Sequence, residues 1–357
     1  MEHIGLTVIA EDAEEGPLLK FVDDLQRLKD LPSGVIDVAH RSASAMEVRI
    51  RFPLSVFDRS VGQFMATLFG EFPFMRAFGR ARFENLTLPA EVFEWFRGPA
   101  FGASEVLERF GAQESPLLVA IIKPSLDPDL TIDGLAARVA GPVSGGFHAA
   151  KDDEMQGDFP NLTLKDRLDL AARNRGYIPA VNLDDTTAFR NVLQRQEIGM
   201  VMVNGTILGF PTLYELRKAT RVPILSHLSM QGVYSGAFSH RVFALLHRLF
   251  GADALITPIG DTHYYRASKA DEQEIAFTLT SDLPIAKTLP MFTGGGRMDN
   301  LGELMEPYEA AGVPYGIVLG GLIFNSAKPP REMAEEVVRT IAAAKRNFAA
   351  AKVTKVL

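Results

Sequence analysis

From about residue 116 onward the chain alternates between short apolar, β-branched runs and longer stretches with apolar residues three and four apart. The runs 117–122, 146–150, 177–182, 200–204, 222–227, 254–257, 290–293 and 315–319 read as strands. Among the intervening stretches, 164–175, 187–197, 240–250 and 332–349 carry charge opposite an apolar stripe and read as helices. Ser239 and Asn300 stand where two helices would take their N-caps. Eight strand–helix units in about 240 residues match the repeat and length of a (β/α)8 barrel. A doubly wound sheet would place a glycine fingerprint near its first strand, and none is present. The predicted class is therefore α/β, a (β/α)8 TIM barrel.

The first 110 residues are patterned differently. Residues 18–28 and 61–68 read as helices, and 46–53 alternate as a strand. This predicts a small α+β (ferredoxin-like) N-terminal domain over 1–110, ahead of a barrel over 111–357 that carries the chemistry. The stretch 83–110, rich in Phe and holding the single tryptophan, Trp95, reads as a connection between them.

Composition narrows the chemistry. Hydrophobic residues make up 47% of 357, enough for a large core, and the net charge of −7 gives no basic field for nucleic acid or an anionic membrane. The absence of cysteine excludes disulfides, thiolate nucleophiles and zinc–thiolate sites. No stretch is long and apolar enough to span a bilayer, and the first residues lack a basic region before an apolar run. A cytoplasmic protein acting on a small molecule is expected.

In a barrel, polar groups at the C-terminal ends of the strands build the active site, whereas those at the other end serve stability. The predicted ends are Lys123-Pro124-Ser125, Lys151-Asp152-Asp153-Glu154, Asn182-Leu183-Asp184, Asn204-Gly205, Ser226-His227, Thr257-Pro258, Thr293-Gly294-Gly295-Gly296 and Gly320-Gly321. Of these, the second is the most informative. An apolar, glycine-led run from Ser144 to Ala150 leads into a lysine and three carboxylates, a charge density that is costly to bury unless it binds something. A solvated charge run is the ordinary alternative, but the run before it is too apolar for that. Carboxylate oxygens suit magnesium. Strand alternation sends Lys151 and Asp153 one way and Asp152 the other, with Glu154 joining the first pair where the strand turns.

The glycine clusters after strands 7 and 8 fall where barrels commonly bind phosphate through backbone N–H groups, and Thr293 adds a hydroxyl. Tight turns alone are the plainer explanation for either cluster. Lys123 is a candidate general base, or a structural ion-pair partner. His227 reads as a site residue or as a hydrogen-bonded core histidine. His148 is expected to pack between strand and helix, and His240 and His247 on a helix surface. His263 lies in a loop able to reach substrate, and Met200 and Met202 belong to the core.

The run Gly145-Gly146-Phe147-His148-Ala149-Ala150-Lys151-Asp152-Asp153-Glu154 resembles the magnesium-binding signature of the RuBisCO large-chain family, including its RuBisCO-like (form IV) members. Ile122-Lys123-Pro124, Thr293-Gly294-Gly295 and Gly320-Gly321 follow in matching order and spacing, and a looser likeness reaches 70–89. The resemblance implies that Lys151, carbamylated by carbon dioxide, ligates magnesium with Asp153 and Glu154. It further implies Lys123 as the base, His227 near the metal and the substrate oxygens, and one phosphate on Thr293, Gly294, Gly295, Gly320 and Gly321. Asn182 is added to the substrate-binding set. The family pairs chains so that the N-terminal domain of one covers the barrel mouth of the other, implying a homodimer or an assembly of dimers with Glu71 reaching the partner's site.

Departures from the carboxylating pattern point one way. Ser125 replaces a lysine, Leu228 an arginine and Ile256 a histidine, and the loop after strand 6 ends near His263 without the expected lysine. Glu71 stands where carboxylating forms have asparagine, and their Thr-Trp substrate loop is not recognisable. Each change removes a group serving a second phosphate or carboxylation. The expected function is magnesium-assisted enolisation of a mono-phosphorylated keto-sugar or keto-acid, of the enolase or isomerase type seen in methylthioribose salvage. The alternatives are decarboxylation of a phosphorylated 3-keto sugar acid through the same enediolate, and a non-catalytic binding protein.

Overall fold

The computed structural model describes residues 3–28, 36–42, 44–71, 75–112 and 114–356. Its N-terminal sheet has four antiparallel strands, β1 (His3–Glu11), β2 (Ile36–Ser42), β3 (Ala45–Pro53) and β4 (Arg80–Thr87), in the order β2-β3-β1-β4. Helices Glu15–Leu28 and Val61–Phe69 make the two crossovers, which is the ferredoxin-like arrangement. Period-2 alternation builds its core: Ile4, Leu6, Val8 and Ala10 of β1 lie opposite Phe52, Ile50, Val48 and Met46 of β3, all buried.

Strand β4 occupies part of the stretch read from sequence as a connection. Its pairing with β1 slips between Thr7 and Val8, leaving Glu84 without an opposite residue. The buried positions become Ala81, Phe83 and Leu86, so the bulge breaks the alternation by which a strand is recognised.

The second sheet has eight parallel strands: β5 (Leu117–Ile121), β6 (Ala149–Lys151), β7 (Tyr177–Ile178), β8 (Val201–Val203), β9 (Ile224–Ser226), β10 (Ala254–Pro258), β11 (Leu289–Thr293) and β12 (Gly316–Leu319). They run β7-β6-β5-β12-β11-β10-β9-β8. The Met202 N–H bonds the Pro179 carbonyl at 2.9 Å and the Val181 N–H the Met202 carbonyl at 2.8 Å, which closes β7 onto β8. Leu117, Val119, Ile178, Met200, Met202, Leu225, Ile256, Met291 and Val318 form one core cluster with Ala103 and Val106 of helix Gly102–Arg109. That cluster fills the barrel interior, with the helix against β10 and β11.

Two expectations change. The paired glycines do not lead β6. Gly145 caps helix Ile132–Ser144 and Gly146 follows with φ +99°. A Cβ on Gly145 would stand 2.4 Å from the Arg331 carbonyl oxygen and 2.7 Å from Ala334 Cβ, so this glycine lets helix Pro330–Val356 pack closely. His240 and His247 are not on a helix surface. Helix His240–Leu249 is packed between β4 and helix Lys269–Thr280, and its residues are buried nearly throughout. His247 Nδ1 and Nε2 lie 3.1 Å from Ser226 Oγ and Thr206 Oγ1, and burial lowers its pKa to about 3, keeping it neutral. Ser239 caps this helix as expected, accepting from the Val242 N–H at 3.2 Å. No helix among the described residues is long and apolar enough to cross a membrane.

Asp253 ties the connecting segment to the barrel. Its buried carboxyl accepts N–H bonds from Phe101 (2.7 Å), Gly102 (3.2 Å) and Ile224 (2.8 Å), and burial pushes it up to about 6. Asp253→Ala leaves three buried donors unmatched, so unfolding free energy is expected to fall by about 3 kcal/mol. A carboxyl with a raised folded pKa gives its full stability below the ordinary carboxylate range and loses it as pH rises through about 6. In Asp253→Asn, which keeps one acceptor, the loss should be smaller and that pH dependence should vanish. Urea unfolding across this range measures both, and an unchanged midpoint for Asp253→Ala would remove Asp253 as the tie.

Candidate active site

The end of β6 sorts its charges by strand alternation. Lys151, its last residue, is fully buried and donates from Nζ to the Asp152 carbonyl at 2.8 Å. Burial lowers its amine to about 8, against the opposing pull of Glu154, Asp153 and Asp152. Asp152 turns to the other face, as alternation predicts. There it accepts from Arg167 Nη1 (2.7 Å), the Tyr177 hydroxyl (2.7 Å) and the Ala180 N–H (2.9 Å). Arg167 is itself buried and also donates to the Ala180 and Gly157 carbonyls at 2.8 Å.

Asp153 accepts from Lys123 Nζ and from the Met155 N–H at 3.2 Å. Burial alone would raise its carboxyl, but these bonds and the nearby lysine charges bring it below the ordinary value. Asn182 donates to the Glu154 and Gln156 carbonyls at 3.0 and 2.9 Å, and Asn204 donates to Glu154 O at 3.2 Å and Asn182 Oδ1 at 2.8 Å. The Ser229 hydroxyl donates to Asn204 Oδ1 at 3.0 Å and lies 2.8 Å from His227 Nδ1. One polar chain thus links residues at the ends of β6, β7, β8 and β9. His227 Nδ1 also accepts the Ser229 N–H at 3.2 Å, which assigns the ring proton to Nε2, 3.4 Å from Glu154 Oε2. Burial, then the Lys151 charge, lowers His227 to about 3, so it is a neutral donor.

Across the mouth, Gly294 and Gly295 hold φ of +86° and +90°, a backbone region that favours glycine. Among the described residues no protein group accepts the N–H of Gly294, Gly295, Gly320 or Gly321. Thr293 donates its hydroxyl to the Val318 carbonyl at 3.2 Å, which leaves the glycine amides as the donors here without a protein partner among the described residues. Asn300 begins helix Leu301–Ala311 without capping it. Its amide donates to Gly295 O at 3.0 Å and accepts from the Arg297 N–H at 2.8 Å, bracing the glycine turn.

These groups surround a cavity of about 360 Å³. Lys123, Lys151, Glu154, His227, Thr293, Gly294, Gly295, Gly320 and Gly321 line it, as does His263. Asp153 sits just behind, against Lys123. Asn182 does not line the cavity and acts through the Glu154 loop. Glu71 is exposed beyond helix Val61–Phe69 and is not among the lining residues. Sequence reasoning passed over Tyr264, Tyr265 and Arg297, which also line it. Arg297 directly follows the glycine run, a cation in the place a phosphate would reward, and that adjacency was its one signal.

Among the described residues no three His, Asp or Glu side chains form a metal-holding group. The carboxylates on hand are Asp153 and Glu154, and Lys151 ends in an amine. This donor set fits magnesium when Lys151 carries a carboxylate on its nitrogen, giving three oxygen ligands. Burial favours the neutral amine that such a reaction needs.

No protein-family model matches the chain. It is 27% identical over 329 residues to a ribulose bisphosphate carboxylase-like protein of Archaeoglobus fulgidus, covering 84% of this chain and 72% of that protein. Identity is 26% over 325 residues (85% and 77% covered) to the 3-oxo-isoapionate-4-phosphate transcarboxylase/hydrolase of Xanthobacter autotrophicus. It is 29% over 271 residues (70% and 64% covered) to the 2,3-diketo-5-methylthiopentyl-1-phosphate enolase of Geobacillus kaustophilus. The crystal structure of a rubisco-like protein from Alicyclobacillus acidocaldarius superposes with a TM-score of 0.80 at 22% identity, covering 97% of this chain and 95% of that one.

Arg167→Met strands the buried Asp152 charge, and an expected loss of about 3–5 kcal/mol in unfolding free energy follows. The double variant Arg167→Met with Asp152→Asn needs no counter-charge and should unfold at higher urea than the single variant. A double variant no more stable than the single one would argue against charge pairing as the reason for Arg167.

Proposed function

From the premise that this chain is a RuBisCO-like protein, an enzyme of isomerase/enolase or lyase type and not a ribulose-bisphosphate carboxylase, we propose that it enolises a mono-phosphorylated keto-sugar or keto-acid. One observation carries this reading: a base, a neutral donor, a carboxylate and unpartnered glycine amides share a single cavity. Lys151 as its carbamate, Asp153 and Glu154 would hold magnesium, which when bound supplies a Lewis acid for negative charge on substrate oxygens.

The chain's own residues account for the proton. As the free amine, Lys123 Nζ takes it from the carbon beside the carbonyl, and the ammonium so formed is the state that pairs with Asp153 in this structure. His227, neutral, offers Nε2–H to a substrate oxygen without giving the proton up. The glycine amides and Arg297 fix the phosphate, which sets the reacting carbon against Lys123. Reprotonation elsewhere yields an enol or isomer. Where the substrate carries a carboxylate beside the carbonyl, carbon dioxide can leave instead, and the relatives at 29% and 26% identity are named for an enolase and a transcarboxylase/hydrolase.

Exposed Met155, Ile207, Met230, Val233 and Tyr264 are apolar side chains on the segments that follow β6, β8, β9 and β10. A second copy is the cover this reading assigns to them, with its N-terminal domain over the mouth and Glu71 as a second acid or base.

Incubating phosphorylated ketoses and keto acids in deuterium oxide should show exchange at the carbon beside the carbonyl, and Lys123→Met should slow it by at least about a hundredfold. Exchange undiminished in Lys123→Met would exclude Lys123 as the base. Bicarbonate should tighten magnesium binding to the wild type and leave Lys151→Met unaffected. Equal affinity with and without bicarbonate would exclude the carbamate.

A further inference from the structure

His247 does not line the cavity, yet it reaches the strand ends that build it. It lies in the last turn of helix His240–Leu249, fully buried, with its ring against Phe243 (centroids 4.6 Å apart) and Phe210 (5.1 Å). Nδ1 stands 3.1 Å from Ser226 Oγ and Nε2 3.1 Å from Thr206 Oγ1, so one imidazole bridges the ends of β9 and β8. Gly205 makes room for the bridge. A Cβ there would stand 2.3 Å from Ser226 Oγ and 3.3 Å from His247 Cε1.

Each bridged residue neighbours a member of the polar chain at the mouth. Leu225 belongs to the barrel interior and His227 lines the cavity, so Ser226 between them points outward, to the helix layer. Thr206 follows Asn204 by two residues, in helix Gly205–Leu208. Beyond the bond from the His227 N–H to the Val203 carbonyl (2.8 Å) both strands have ended, and side chains hold the ends together. Ser229 joins Asn204 to His227 on the mouth side, at 3.0 and 2.8 Å, and His247 joins Thr206 to Ser226 on the helix side. A neutral imidazole has one donor and one acceptor nitrogen, and a hydroxyl meets either, so a single ring serves both. An apolar side chain would leave two buried hydroxyls unmatched.

We propose that His247 is a positioning residue for the reaction: its bridge behind the barrel wall fixes His227 relative to Asn204 and keeps Nε2–H of His227 aimed at the substrate oxygen. The proposal rests on the reading of His227 as the neutral donor of an enolising site.

Nitrogen-15 NMR of histidine-labelled protein, with the His227 signal identified by its loss in His227→Gln, tests this beside deuterium exchange into the phosphorylated ketoses and keto acids. His247→Phe keeps a ring among the aromatics and removes both bridges. It should shift the His227 signals, mix in the Nδ1–H tautomer, and slow exchange at saturation by at least about tenfold with little change in KM. Inorganic phosphate, whose site lies across the mouth, should bind with unchanged affinity by calorimetry. His247→Gln, which restores a donor and an acceptor, should recover most of the loss. Ser226→Ala and Thr206→Val, which remove one bridge each, should reproduce part of it, and their spectra decide the matter should His247→Phe not fold. A histidine that only supports the core would lower the unfolding midpoint and leave His227 signals and exchange rate alone, which overturns the proposal. Shifted signals with an unchanged exchange rate overturn it too. A wild type that exchanges no deuterium overturns the enolisation reading itself, and this role with it.

Discussion

The end of β6 places four ionisable side chains in four consecutive residues, and the site depends on how their charge is divided between two faces. Left on one face, three carboxylates would repel one another and Lys151 could not balance them. Period-2 geometry sends Asp152 outward, where buried Arg167 and the Tyr177 hydroxyl satisfy it. The inward face then keeps Lys151 and Asp153 beside Lys123, with Glu154 at the turn. Arg167 comes from helix Leu164–Arg173, the helix that follows β6 after one loop, so the counter-charge belongs to the same strand–helix unit as the charge it serves.

Neutral groups complete what that division begins. His227 and His247 occupy neighbouring buried positions around β9, and burial holds both imidazoles uncharged. A protonated His227 beside Lys151 and Lys123 would add a third cation to the inner face and compete for the same carboxylates. As a neutral ring it can share the Ser229–Asn204–Asn182 chain and still offer one N–H. The amide side chains of Asn182 and Asn204 act on the Glu154 carbonyl, so they set the direction of its carboxylate without entering the cavity. Positioning by amides adds no charge, which suits a place where net charge is already delicate.

The barrel was legible because its signals are local: apolar runs at regular spacing, each closing on polar residues that the fold rule assigns to one mouth. Lys123, Lys151, Glu154, His227 and the glycine loops were reachable by that rule alone. What escaped it depends on partners distant in sequence. Gly145 is explained by Arg331 and Ala334 of the last helix, and the burial of His247 by Thr206 and Ser226. Strand β4 was hidden by a bulge that only its pairing with β1 reveals. Asn300 stood at an N-cap position, yet its side chain serves the glycine turn behind it. Tyr265 carries no motif, and its place over Gly294 follows from how the loop after β10 folds across β11.

On the proposed reading, the phosphate is recognised by different strands from those that hold the reacting centre. That reading assigns phosphate to the loops after β11 and β12 and proton transfer to β5 and β6. Each strand–loop unit of a barrel can change without unfolding its neighbours. Leu228 and Ile256, which the resemblance sets against an arginine and a histidine of the carboxylating forms, are positions where a barrel can accept change while Lys123, Lys151, Asp153 and Glu154 stay in place. Relatives at 26–29% identity that are named for different reactions fit the same logic. An enediolate is a shared intermediate whose fate depends on what is attached to it and where. If Lys123 is the base, as proposed, changing the groups around the rest of the mouth would change which carbon lies against it, and with it the product, while the costly buried charge at β6 is kept unaltered.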